Sequence, residues 1–303
     1  MIPIKLYLLF FFWLLGFIFL WKIPVLKKEK KLGRFSHKIS ILIPARNEER
    51  TLGHLLHSIE QQTLKPHEVI VVDDQSEDNT AEVARRAKCI VMTSKNLPEG
   101  WTGKPWACWQ AAHKATGDIF LFLDADTFLE PEGLSKMVST YLEKMGLLSI
   151  QPFHKMERRH ERLSAIFNII TMAGMNACTP LGQKLKPMGA FGPCMICSRE
   201  DYFMVGGHEK ARGEVLESLA LGREFLRANQ NISCYGGKET ISFRMYPGGL
   251  RSLIQGFSKG FGTGARAMSW VILFMVVGWI FGGVGVTRQL IQSAILGNIT
   301  DFL

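Results

Sequence analysis

The sequence has no GxGxxG after its first strand signal and no GxxxxGK[ST], so neither the dinucleotide fingerprint nor the Walker phosphate loop is present. Cysteine is sparse: Cys89, Cys108, Cys178, Cys194, Cys197 and Cys234. Cys194 and Cys197 form a CxxC, but no second pair and no histidine at zinc spacing accompany them. They sit inside the apolar run AFGPCMICS, which points to buried thiols rather than a metal or redox site. Recognition-helix and RNA-binding aromatic signatures are also missing. The formal net charge of +9 is therefore assigned to an anionic phospholipid surface and not to nucleic acid. No small-x-small cleavage pattern follows the first apolar stretch, so a retained anchor is expected over a signal peptide.

What the chain does have is apolar ends. Sixteen uncharged residues lie between Lys5 and Lys22 and twenty-one between Arg266 and Arg288, close to the ~20 residues that span a bilayer. Lys5 alone precedes the first stretch, whereas Lys22, Lys27, Lys28, Lys30 and Lys31 follow it. That asymmetry places the protein in the cell membrane with its central domain cytoplasmic. The expected organisation is an N-terminal transmembrane anchor over 4–22, a globular domain over 38–245, an interfacial amphipathic helix over 248–266 and a C-terminal transmembrane or re-entrant helix over 267–287. Glycines 278, 282, 283 and 285 weaken the last as a span. Leu250, Leu253, Ile254, Phe257 and Phe261 share one helical face of the third segment, which reads as an interfacial helix or as ordinary core packing.

Between these ends short apolar runs alternate with amphipathic ones. KISILIPAR is a buried strand signal, and Leu52, Leu55, Leu56 and Ile59 recur at helical spacing after it, with Asn47 as the expected cap. Glu68 to Val72 and Asp118 to Leu123 are further strands. Each stops on acids, Asp73-Asp74 and Asp124-Ala125-Asp126. The alternation predicts an α/β fold with an open, mostly parallel sheet, whose ligands bind beyond the carboxyl ends of the strands. Two carboxylates spaced like Asp124 and Asp126 emerge on one side of an extended chain. They suit a hard cation such as Mg2+ or Mn2+, which keeps water and substrate phosphates as its other ligands. The alternative is a pair of solvated turn acids.

IPARNEE ending at Glu49, VVDDQSEDNT ending at Thr80, GWTGKPWAC from Gly100 to Cys108 and FLDADT ending at Thr127 resemble glycosyltransferase family 2. They are similar in particular to its membrane members related to bacterial carotenoid-acid (diaponeurosporenoate-type) glucosyltransferases. The resemblance implies a GT-A-like, Rossmann-type, mostly parallel sheet with membrane-associated N- and C-terminal helices. It implies a metal-dependent, inverting transfer of a hexosyl group, glucose from UDP-glucose, to a membrane-embedded lipophilic acceptor such as a carotenoid carboxylic acid. Carried over by residue, it sets Pro44, Ala45 and Glu48 beside the nucleotide and Asp73 on the uracil with Asp74 next to it. Lys104 lies near the phosphates, Asp124 reaches the sugar or ribose, and Asp126 is the principal ligand of Mg2+ or Mn2+.

Members of the family also use an acid in the second half, generally in an ED-like pair, as general base. The matching pair here is Glu217-Ser218, without the aspartate. Glu217 takes the base role, or Glu214 approaches from a turn earlier, or the acceptor is a carboxylate, already ionised near neutrality and in little need of a base; both glutamates on a solvated helical face is the remaining reading. His208 is a second metal ligand, a partner of the departing diphosphate, or a structural imidazole. The QxxRW of processive synthases is absent, which disfavours polymer synthesis. Diacylglycerol or polyprenyl phosphate as acceptor, nucleotidyl transfer, and a non-catalytic membrane protein with this fold are the rival readings; no specific protein partner is predicted.

Overall fold

A computed structural model describes residues 4–27, 36–175, 178–180, 187–214, 216–246, 248–251, 253–254 and 270–295. Helix α1 (Ile4–Phe19) leads to β1 (Ile39–Ala45), α2 (Leu52–Glu60), β2 (Glu68–Asp73), α3 (Thr80–Arg86), β3 (Ile90–Thr93), α4 (Gly103–Lys114) and β4 (Ile119–Leu123). The alternation read from the sequence is present, and Leu52, Leu55, Leu56 and Ile59 are the buried face of α2. Asn47 does not cap that helix, which begins after Thr51. It adopts a left-handed φ of 56° and accepts from the Glu77 N–H at 2.8 Å, so it ties the β1 corner to the β2 corner.

The second half departs further from expectation. After β5 (Thr127–Leu129), α5 (Gly133–Lys144) and β6 (Leu147–Gln151), Pro152 interrupts the extended chain, and Phe153–His154 becomes β7. A 3-10 turn (Arg159–Ser164) and α6 (Ala165–Gly174) follow, then β8 (Cys194–Ser198), α7 (Arg199–Met204), α8 (Gly207–Lys210), α9 (Glu217–Arg227), β9 (Ile232–Gly236) and β10 (Ile241–Phe243). Helix α10 (Trp270–Ile295) is the last described element.

These strands correct the expected GT-A-like, Rossmann-type, mostly parallel single sheet. There are two sheets: a seven-stranded one in the order β3-β2-β1-β4-β8-β6-β9, and a three-stranded one in the order β5-β10-β7. The larger is mixed, because β8 runs antiparallel to both neighbours, β4 and β6. In the smaller, β10 is antiparallel to β5 and parallel to β7. The physical reason is that β8 arrives after a long excursion instead of a single crossover helix, so the right-handed parallel crossover rule does not set its direction. The flanking helices are corrected too. Among the described residues only α10 is long and apolar enough to cross a membrane, over Leu273–Ile295. The sixteen residues of α1 reach about 24 Å, short of the ~30 Å hydrocarbon core.

The sheet sits between two apolar layers. Ile41 and Ile43 of β1 face the layer built on α2 and α5, while Leu42 faces the layer of α4 and α9, as strand alternation requires. The CxxC is split in the same way. Cys194 belongs to one layer and Cys197 to the other, both thiols are buried and pushed up by that burial, and no shared metal or disulfide geometry exists between opposite faces.

The glycines that weaken the C-terminal stretch on a hydropathy reading are its contact seam. A Cβ on Gly282 would lie 2.5 Å from the Trp13 nitrogen and 2.6 Å from the Leu9 oxygen, both backbone atoms of α1, and one on Gly278 would lie 2.6 Å from the Phe12 ring. Small residues four apart let two helices approach to backbone contact. The chain leaving α1 is stitched to the main sheet: Val25 bridges to Gly236, whose N–H donates to the Pro24 carbonyl at 2.7 Å. Of the interfacial helix expected over 248–266, residues 252 and 255–266 lie outside the described residues.

Candidate active site

The acids emerge where the strands end. Ala45 and Asp73 are register partners at the ends of β1 and β2, and the Asp74 N–H donates to the Ala45 carbonyl at 2.8 Å. Asp73 is buried and accepts from the Ser76 N–H at 3.2 Å. The Asp74 carboxylate lies directly against Gly103 at the start of α4. Pro44, Ala45, Asp73 and Asp74 therefore form one corner, with Glu48 just beyond it. The Glu48 N–H donates to Thr80 Oγ1 at 2.8 Å, and its carboxylate accepts from the Thr51 hydroxyl.

Beside that corner, in the first turn of α4, stands Lys104. Its ammonium contacts Asp124 Oδ1 at 2.6 Å and Glu217 Oε1 at 3.4 Å. Burial opposes the charge, but the fields of Asp124 and Glu217 hold Lys104 well above the usual lysine range. Asp124 is fixed by its backbone: its N–H donates to the Pro193 carbonyl at 3.0 Å, and its carbonyl accepts from the Thr127 N–H at 3.1 Å. Thr127 starts β5, so the smaller sheet clamps the Asp124-Ala125-Asp126 turn from below.

Asp126 is solvent-accessible at the turn after β4. The protein around it still displaces enough water to push its carboxyl up to about 7, with the charges of Asp124 and then Glu48 adding to that. Glu48 is raised for similar reasons, burial first, although the Thr51 hydroxyl pulls it down. Asp124, Glu217 and Asp126 thus share the charge of one lysine, Lys104, and the excess negative charge suits a divalent cation. Among the described residues no three His, Cys, Asp or Glu side chains gather closely enough to hold an ion on their own.

His208 is set into the packing, within reach of the Lys104 charge. It is fully buried, 5.1 Å from the Phe122 ring, with Nδ1 2.9 Å from the Tyr202 hydroxyl. Burial, then the charge of Lys104, lower it to about 3, so the ring is neutral. Among the described residues its Nε2 has no hydrogen-bond partner. Glu214, in contrast to Glu217, is exposed on the turn after α8.

Sequence reasoning missed Gly192 and Pro193. A Cβ on Gly192 would lie 3.2 Å from Ser218 Oγ and 3.5 Å from Lys104 Nζ. This turn brings β8 to Asp124 and leaves room for the lysine. The signal was the Gly-Pro punctuation inside the apolar run.

The family profile described as glycosyl transferase family 2 matches residues 40–202. A 4,4'-diaponeurosporenoate glycosyltransferase of Staphylococcus aureus is 40% identical over 262 residues, 85% of this chain and 69% of that protein. The chain belongs to glycosyltransferase family 2. Solved structures agree at the level of fold. The mannosyltransferase PcManGT of Pyrobaculum calidifontis, in complex with GDP-Man and Mn2+, matches with a TM-score of 0.56 at 17% identity, over 97% of this chain and 90% of that one. Glucosyl-3-phosphoglycerate synthase of Mycobacterium tuberculosis, in complex with Mn2+, UDP and glucosyl-3-phosphoglycerate, matches with a TM-score of 0.51 at 20% identity, over 80% of this chain and 86% of that one. This family 2 chain is an enzyme, a glycosyltransferase, and it carries one helix long and apolar enough to cross a membrane.

Proposed function

We propose that this enzyme transfers a hexose, glucose in the first instance, from a UDP-sugar to a membrane-held lipophilic acceptor of the carotenoid carboxylic acid type, with inversion. The observation that carries the proposal is the lysine bridge: Lys104 joins Asp124 from the first half of the domain to Glu217 from the second. Asp124 and the candidate base therefore meet over one cation, and Gly103, the residue before that lysine, lies against Asp74 of the donor corner. The 40% identical relative with a carotenoid-acid name supports the choice of acceptor.

In this reading Asp73 and Asp74 orient the nucleoside, and Lys104 faces the diphosphate. As the phosphates approach, they compete for the Lys104 ammonium, which frees Glu217 to orient the acceptor oxygen or take its proton. The acceptor oxygen forms a bond to the anomeric carbon, and the carbon–phosphate oxygen bond breaks with its electron pair leaving on UDP. Asp126 would hold a Mg2+ or Mn2+ ion, with Asp124 beside it and His208 as a further candidate through its open Nε2; such an ion neutralises charge on the departing diphosphate. A carboxylate acceptor asks little of the base, which fits a second-half acid without its usual aspartate. The apolar ends and the lysine-rich run after α1 then hold the site at an anionic lipid surface, facing the cytoplasm.

Detergent-solubilised protein incubated with labelled UDP-sugars and extracted lipids is expected to release UDP together with sugar-labelled lipid. EDTA should stop the reaction and Mn2+ or Mg2+ restore it, and Asp126→Ala should lose about 10²-fold or more in kcat. Release of pyrophosphate in place of UDP would make the enzyme a nucleotidyltransferase and end this reading.

A further inference from the structure

The active-site acids occupy one end of the main sheet, and a second feature shares that end. Because β8 is antiparallel to both β4 and β6, β6 runs in the same direction as β4, and β9 is parallel to β6. Gln151 and Gly236, which close β6 and β9, therefore lie on the same carboxyl edge as Asp124. They are two and three strand positions away, or about 10–14 Å at ~4.8 Å per strand.

At that edge is a cavity of about 530 Å3, lined by Ile23, Val25, Phe153, Met156, Ile169 and Met172 among others. Phe153, Met156, Ile23 and Val25 are each more than two-fifths exposed. This is a concentration of apolar surface that a water-facing rim does not ordinarily carry. A second cavity of about 720 Å3 lies between Trp13 of α1 and the Trp279 to Gln292 stretch of α10, and Ile169 lines it as well. One residue of α6 thus lies between a cavity on the α1–α10 pair and a cavity on the edge that carries the acids. Both volumes fall in the range of small-molecule sites, ~300–1,000 Å3.

The geometry points to a single acceptor channel: an extended apolar chain rises from between α1 and α10, passes Ile169, and lies in the groove at the ends of β6 and β9 with its polar end toward Lys104 and Glu217. The inference rests on the transfer reading above for the identity of its occupant and adds where that occupant lies. Two observations favour a membrane-borne chain over a soluble ligand. The groove shares Ile169 of its lining with a cavity on the helix that is long and apolar enough to span. Its floor is also the strand edge to which the exit from α1 is stitched, at Val25 and Gly236. The Gln151 amide, which donates to Asn168 Oδ1 at 3.0 Å, puts polar groups at the sheet end of the groove, where an amphiphile changes character.

The test is photolabelling of the full chain in phosphatidylglycerol nanodiscs with a palmitic acid analogue carrying a mid-chain diazirine. The expected result is light-dependent label on peptides covering 151–156 and 165–172. Ile169→Trp, which fills the junction of the two cavities, should cut the label on 151–156 and raise the KM for a lipophilic acceptor about tenfold or more. Ala165→Phe, at the other end of the groove, provides a second block. Label confined to α1 and α10, or label on 151–156 unchanged in both variants, overturns the channel. Because labelling needs no donor, the two readings fail separately. Groove label on a protein that releases no UDP from any UDP-sugar keeps the channel and sinks the transfer, whereas UDP release with no groove label does the reverse.

Discussion

Lys104 sits between two acids with different claims on it. Asp124 is held by backbone hydrogen bonds on a turn clamped by β5, whereas Glu217 opens a helix and its carboxylate is the more distant partner, 3.4 Å against 2.6 Å. In the proposed mechanism a diphosphate that competes for the ammonium releases Glu217, the more distant partner. Glu217→Gln is therefore expected to lower kcat by about 10²–10⁴-fold on a hydroxyl acceptor and by less on a carboxylic acid, while Glu214→Gln stays within about twofold on both, since surface changes away from such contacts cost little. Steady-state rates with a fatty alcohol and a fatty acid as acceptors check this, and a Glu214→Gln enzyme as impaired as Glu217→Gln would reverse the assignment. The residue types of the site were legible in the sequence because strands that end on acids advertise themselves. Which glutamate faces the lysine was not, because residues three apart share a face only if the helix contains both. Here Gly213, at a φ of +75°, belongs to the turn before α9, and the helix starts at Glu217.

At the scale of elements, the position of Glu217 depends on how closely α9 approaches the segment leading into β8. Gly222, in the middle of α9, faces backbone: a Cβ there would lie 2.7 Å from the Ala190 nitrogen and 2.7 Å from the Gly189 carbonyl carbon. Helix propensity alone would favour alanine by about 1 kcal/mol. A backbone neighbour cannot rotate away, however, and overpacking costs about 1–3 kcal/mol, so the clash wins and α9 must lift. Displacement of a positioned group by about 1 Å is enough to cost ~10²-fold in rate. Gly222→Val should accordingly lower both the urea midpoint and kcat, with Gly222→Ala between it and the wild type; a stabilised, fully active Gly222→Ala would show that the approach is not tight. The same scale explains what the sequence hid about the fold. A periodic element such as α2 was readable, whereas β5, β7 and β10, at three, two and three residues, are too short to show a period. The second sheet was invisible for that reason, and so was the reversal of β8, whose apolar run carries no mark of direction.

The whole molecule has to hold the candidate-site edge of the sheet next to the α1–α10 helix pair, and a charged clasp ties the segment after β10 back to the turn before α6. Arg244 contacts Glu157 at 2.7 Å and Glu161 at 2.7 Å, with Glu161 completely buried. Glu161 also accepts the N–H groups of Glu157 and Arg158, at 2.7 and 3.1 Å. Burial would raise its carboxyl, but the Arg244 hydrogen bonds and these two backbone donors outweigh that and hold it at about 2, against an ordinary value of 4.5. The sign follows from the depression. The folded state favours the ionised form, so the stabilisation is complete above pH 4.5 and is lost as pH falls from there toward 2. Urea midpoints should therefore decline for the wild type between pH 5 and pH 3 more steeply than for Glu161→Gln. That variant, already without the charge, should be about 1.5–3 kcal/mol less stable at pH 7, the range of a charged hydrogen bond, and should approach the wild type in acid. Parallel acid profiles for the two proteins would mean that the clasp does not hold the segments together. A profile that diverges as described, with lipid-acceptor turnover falling in Glu161→Gln at neutral pH, would show that the clasp also keeps the groove side of the molecule aligned with Lys104, because the turn it fixes leads directly into α6 and Ile169.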